Sequence, residues 1–98
     1  MTIEKIKDGA SLTYVVEGRL ETTTAPELDA AVKTDTDGIS ELIFDFSKLD
    51  YISSAGLRVL LSAQKKMNAQ GSMKITGANE IVKEIFDVTG FSDILTIE

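Results

Sequence analysis

The sequence predicts an α/β domain: a mixed, mostly parallel sheet with an N-terminal β-hairpin, packed against helices in the order β-β-α-β-α-β-α-β. Three observations carry this. Asp8-Gly9, a strong hairpin dipeptide, separates two short β-rich segments at the start. After them, helix-period segments alternate with short apolar runs, which calls for crossover connections and parallel strands. The chain has 98 residues, so residues 1–98 form one domain around a single core.

The elements follow in order. Ile3 and Ile6 mark the first strand. Leu12-Thr13-Tyr14-Val15-Val16-Glu17 is the second, with Leu12, Tyr14 and Val16 on one face. Thr24 followed by Glu27 fits a capping box, and Pro26 suits a first helical turn. That helix turns Leu28, Ala31 and Val32 inward and ends in Thr34-Asp35-Thr36-Asp37-Gly38. Leu42 to Phe46 reads as a buried strand. Ser53 or Ser54 can cap the longest helix, which runs to about Gln70, is closed by Gly71 and carries a stripe of Leu57, Leu60, Leu61, Ala63, Gln64 and Met67. Met73-Lys74-Ile75 is a short strand. Asn79 caps a third helix with Ile81, Ile85 and Phe86 on one face, Gly90 ends it, and Phe91 is placed to fold back on Phe86. Ile94 to Ile97 reads as a last strand.

Composition narrows function. With zero Cys, disulfides, thiolate metal sites and cysteine catalysis are excluded. Zero His removes the commonest general base and transition-metal ligand together. No apolar run reaches the roughly 18 residues of a membrane span, and MTIEKIKDG has no signal-peptide core. No membrane insertion and a cytoplasmic location are expected. A net charge of −6 disfavours nucleic acid and anionic membranes and is compatible with a basic protein partner. No metal or cofactor is expected: the glycines form no phosphate-cradling fingerprint. Asp45 and Asp50 are the one pair that an acid–base enzyme or a magnesium site would use, and no third ligand accompanies them.

The segment Leu42 to Met67, LIFDFSKLDYISSAGLRVLLSAQKKM, resembles the STAS domain, the fold of sulfate transporter tails and anti-sigma factor antagonists. Asp45-Phe46-Ser47 stands where that family has Asp-x-Ser at a strand end, and Tyr51-Ile52-Ser53-Ser54-Ala55-Gly56-Leu57 where it has an aromatic-apolar pair and a D-S-S-G-L-type turn into a helix, with a short loop between. Gly18-Arg19-Leu20-Glu21, Ile81 to Phe86 and Thr89-Gly90-Phe91 agree with its flanking features. The resemblance implies an anti-sigma factor antagonist, a regulatory module rather than an enzyme. Such a module binds an anti-sigma serine kinase when unphosphorylated and is released when Ser54 is phosphorylated, with Ser53 the second candidate acceptor. It also implies a PP2C-type phosphatase as a further partner. Glu21, Thr22, Tyr51, Ile52, Ser53, Ser54, Ala55, Gly56 and Arg58 would form the partner-binding surface. The chain departs from the family at Ser53, commonly Asp, at Ala55, commonly Ser, and at Arg58, commonly Gly. A scaffold that is not phosphorylated, in a signalling complex or a lipid-transport system, is the alternative.

Helix physics bears on the same residues. A helix start offers unpaired N–H groups and the positive dipole end, so a phosphate on Ser54 is tolerated without unfolding. Ser53 and Ser54 also read simply as a helix cap. Gly56 either lets the first turn pack closely on the preceding strand or leaves room for an approaching kinase. Tyr51-Ile52 reads as the rim of a docking face or as core.

Overall fold

A computed structural model describes residues 1–98. Strands β1 (Thr2–Asp8) and β2 (Ser11–Leu20) form the hairpin, with Asp8 opposite Ser11 across the turn. Helix α1 (Ala25–Asp35) leads to β3 (Glu41–Asp45) and β4 (Leu49–Ile52); α2 (Ser54–Asn68), β5 (Ser72–Thr76) and α3 (Glu80–Thr89) follow. The sheet order is β1-β2-β3-β5, antiparallel only at the hairpin. Strand β2 is ten residues long and serves two parallel neighbours: Ser11–Val15 pair with β3, and its last three residues pair with β4 across a register shift at Gly18/Arg19. The predicted fold class stands.

Burial alternates along β2, β3 and β5, so one sheet face carries the core. Leu12, Tyr14, Val16, Leu42, Phe44, Met73 and Ile75 all point to it. They meet Leu28 and Val32 of α1, Leu57, Leu60, Ala63 and Met67 of α2, and Val82 and Phe86 of α3 in one continuous cluster. Tyr14, Phe44 and Phe46 pack in a row of tilted rings, with centroids 5.6 and 5.9 Å apart.

Four details differ from the sequence reading. Leu49–Ile52, given no element in the sequence reading, is strand β4, and it delivers the chain to the start of α2. Thr24 stands at the N-cap of α1 but makes no side-chain cap bond. Its hydroxyl instead donates to Arg19 O at 2.8 Å and accepts from Glu21 N at 2.9 Å, locking the β2–α1 turn. On α3 the buried face is Val82 with Phe86; Ile85 is half-buried and Ile81 is 58% exposed. The expected last strand is a single parallel bridge from Ile97 to Ile75. Ile94 N and Leu95 N both donate to Phe91 O, at 3.0 and 2.8 Å, in the short 3₁₀ turn Phe91–Asp93, and only Thr96 and Glu98 reach Ile75.

The ends of the helices are tied down by side chains. Asn79 caps α3, its Oδ1 accepting from Val82 N at 2.8 Å, while its Nδ2 donates to Leu49 O of β4 at 3.0 Å. Gly90 closes the same helix in the left-handed region, φ +80°, where residues bearing a Cβ are strained. Gln70, just past α2, donates to Thr36 O and Ile39 O, both at 2.7 Å. At the far end of α1, the fully buried Tyr14 hydroxyl donates to Asp35 Oδ2 at 3.1 Å, which also pairs with Lys5 Nζ at 2.8 Å. Burial, then the Asp35 hydrogen bond and charge, raises the Tyr14 pKa above its ordinary value. Lys5, and after it the Tyr14 hydroxyl, holds the Asp35 carboxyl below the usual range against the opposing effect of burial.

Candidate phosphorylation and partner-binding site

The site is the junction where β4 becomes α2, with the β2–α1 turn beside it. Ser53 is the N-cap residue, extended at φ −99° and ψ 177°. Its N–H donates to Leu20 O at 2.9 Å and its carbonyl accepts from Leu57 N at 3.0 Å, so the backbone is pinned on both sides. The Ser53 hydroxyl is enclosed, caps nothing and has no hydrogen-bond partner. Ser54, the first residue of α2, is exposed. The two serines therefore divide: Ser53 supports the turn through its backbone, and Ser54 presents its hydroxyl to solvent. No side chain caps the N–H groups of the first turn of α2, and that helix contains no acidic residue.

Gly56 and Ile52 are buried, with Ile52 only 1% exposed, and so lie beneath the surface. A Cβ on Gly56 would lie 2.7 Å from Ile52 Cγ1 and 2.8 Å from Leu20 Cγ. The glycine is there for close packing of the first turn on β2 and β4. These two candidates shape the surface from below and are corrected accordingly: neither can touch a partner while buried.

Tyr51 is half-buried, and Arg19 lies 4.6 Å over its ring centroid. Arg19 Nε also pairs with Glu21 Oε2 at 3.0 Å. Thr22 is exposed at the tip of the β2–α1 turn. It lines an open depression with Ala25, Pro26, Asp29, Ala55, Arg58 and Val59, between the starts of α1 and α2. Structure thus gathers Glu21, Thr22, Tyr51, Ser54, Ala55 and Arg58 at one end of the domain. Sequence reasoning missed Arg19, whose stacking on Tyr51 depends on β2 lying beside β4, and Asp29, one turn into α1. Arg19 stands at the variable position of Gly18-Arg19-Leu20-Glu21, and Asp29 carried no motif.

Asp45 and Asp50 do not form a site. Asp45 Oδ1 accepts from Ser47 N at 2.9 Å in a local turn, and Asp50 is exposed on β4. Neither lines any of the three surface depressions. No group of three or more Asp and Glu side chains is arranged to hold a metal ion, and no helix is long and apolar enough to cross a membrane.

The family pattern of the STAS domain matches residues 2–98. The chain belongs to the STAS domain family. Among its relatives, this STAS domain is 34% identical over 99 residues to BtrV of Bordetella bronchiseptica, which carries the name of a putative anti-sigma factor antagonist, spanning 99% of this chain and 84% of that one. A Thermotoga maritima structure, described as an anti-sigma factor antagonist, superposes with a TM-score of 0.90 at 17% identity, covering 97% and 84% of the two chains. Bacillus SpoIIAA has the same fold in both of its forms, with a TM-score of 0.78 in each. The unphosphorylated form is 13% identical and covers 99% and 87% of the two chains; the phosphorylated form is 14% identical and covers 99% and 91%. The domain thus falls within the anti-sigma factor antagonist group of the STAS family.

Proposed function

We propose that this STAS domain is a partner-switching antagonist: unphosphorylated, it binds an anti-sigma serine kinase through the surface around Ser54, and phosphorylation of Ser54 releases it. A PP2C-type phosphatase resets it, in the cytoplasm, and the domain itself catalyses nothing. The observation that carries this reading is the division of labour at the junction. Ser54 is the exposed hydroxyl on an otherwise pinned turn, at the position where the family resemblance puts the acceptor serine.

Physical chemistry supports the acceptor as well. The N–H groups of the first turn have no side-chain cap, so a phosphate meets free donors and the positive helix end. The added charge of about −1.5 to −2 falls on a surface that previously carried none at this residue. The likeness of the fold to both forms of SpoIIAA is consistent with a switch that leaves the backbone in place.

The test is incubation with the cognate kinase and ATP, with the product mapped by mass spectrometry. A single phosphate on Ser54 is expected. Ser54→Asp should weaken kinase binding at least tenfold, and Ser54→Ala should bind normally and not be released by ATP. Modification at Ser53 or elsewhere would sink the switch as stated. A kinase that binds the domain but never modifies it would point to the unphosphorylated scaffold.

A further inference from the structure

We infer that Arg58 is the intramolecular receptor for the phosphate on Ser54, so that phosphorylation reverses the sign of the surface at this spot. The inference rests on the reading of Ser54 as acceptor and adds the residue that answers it. Arg58 stands four residues after Ser54 on α2, at the spacing where helical side chains meet. Helical side chains lean toward the N-terminus, the direction in which Ser54 lies from Arg58.

Nothing competes for that guanidinium within its helix. It is exposed, makes no ion pair, and has Ala55, Leu61 and Ser62 at its other helical neighbours. Across the depression the nearest acid on α1, Asp29, is already paired with Lys33 at 2.9 Å. On the β2–α1 turn, Glu21 is paired with Arg19 at 3.0 Å. Arg58 is thus an unpartnered cation one turn from a hydroxyl that is to become a dianion. An arginine fork engages phosphate oxygens two at a time, which lysine cannot match.

The consequence is specific. Before modification the surface offers one free cation beside Ser54; afterwards the cation is captured and the pair carries a net charge of about −0.5 to −1. A partner that places a carboxylate against Arg58 loses that contact and meets an anion in its place. Helix-end effects alone would tolerate the phosphate equally in any variant, so Arg58 can be tested separately.

The experiment uses the full chain with phosphoserine installed at position 54 during translation, and no kinase. A phosphorus NMR titration at low salt reads the second ionisation of the phosphate. The arginine should lower that pKa by roughly half a unit relative to Arg58→Gln, the size expected for an exposed pair. Arg58→Lys should recover part of the shift, and 0.5 M salt should erase most of it. Superimposable titrations of the parent and Arg58→Gln would overturn the assignment, as would a Lys variant no lower than Gln. A structural role would instead lower the melting temperature of the unmodified Arg58→Gln protein, which should not change. Because phosphoserine is installed without the kinase, a kinase that modifies another residue would refute the Ser54 switch and leave this measurement intact.

Discussion

Replacing Asp35 with Ala separates two contributions that converge on one carboxylate. Lys5 and Asp35 are 50% and 25% exposed, so solvent screens their pair, and it contributes at most about 1 kcal/mol. The Tyr14 hydroxyl is different. Its side chain is fully buried, Asp35 is its hydrogen-bond partner, and an orphaned buried hydroxyl costs roughly 1–3 kcal/mol. Asp35→Ala should therefore cost roughly 1–4 kcal/mol in all, at a fall in Tm of about 4–8 °C per kcal/mol for a domain of this size. In a Tyr14→Phe background no hydroxyl is orphaned, and the same substitution should cost no more than about 1 kcal/mol. Urea unfolding of the four proteins at pH 7 measures the coupling. Equal costs of Asp35→Ala in both backgrounds would refute the account. The pH dependence has a fixed sign. Asp35 is held below its unfolded pKa, so its contribution is present above about pH 3.9 and is lost as pH falls through the folded value. Tyr14 is raised, so its contribution is complete below about pH 10 and is lost as pH rises toward the folded value. Asp35→Asn should remove the first limb and Tyr14→Phe the second.

Three further substitutions probe the site and its supports. Gly56→Ala should cost about 1–3 kcal/mol by thermal unfolding, because the new methyl group enters the Leu20 and Ile52 side chains; a change within 0.5 kcal/mol of zero would show that the first turn of α2 shifts freely. Ser53→Ala should change stability by less than about 0.5 kcal/mol, since its hydroxyl bonds to nothing, and a loss near the 1 kcal/mol typical of a cap would reveal a bond not seen here. Asn79→Asp should keep the cap on α3 but set a carboxylate oxygen against Leu49 O in place of the donor, costing at least about 1 kcal/mol, and Asn79→Ala loses both bonds and should cost about 2 kcal/mol by urea denaturation.

The parts of the fold that were legible in the sequence are those decided by local pattern. Asn79 caps α3 because its short side chain reaches Val82 N whatever the rest of the chain does. Leu12, Tyr14 and Val16 share a face because strand period alone requires it. Strand β4 was not legible: Leu49-Asp50-Tyr51-Ile52 does not alternate, and its pairing depends on β2 being long enough to offer three residues beyond β3. Thr24 faced a local choice, forward to the helix N–H groups or back to Arg19 O, that the three-dimensional turn decides. Likewise, positions 81 with 85 and 82 with 86 fit the helical period equally well. Docking against β4 selects the second pair. At the site, sequence left Ser53 and Ser54 equivalent as caps. The extended backbone at Ser53 encloses one hydroxyl and leaves the other outside.

That same backbone bears on how a phosphate at Ser54 can act. Moving the junction would break the Ser53–Leu20 and Leu57–Ser53 hydrogen bonds, about 0.5–1.5 kcal/mol each. It would also draw Gly56 off Leu20 and Ile52, whose exposure costs roughly 1.5–3 kcal/mol per side chain. Against that total of roughly 4–9 kcal/mol, a phosphate at a helix start contributes about 0.3–2 kcal/mol, and in the direction that strengthens the helix. The proposed modification therefore has too little energy, and the wrong sign, to work by rearranging α2. What it can change is the charge displayed at Ser54 and Arg58. On the proposed switch, discrimination between the two forms would lie in the partner's surface, which would have to desolvate that spot on binding and accept a neutral hydroxyl there but not a phosphate.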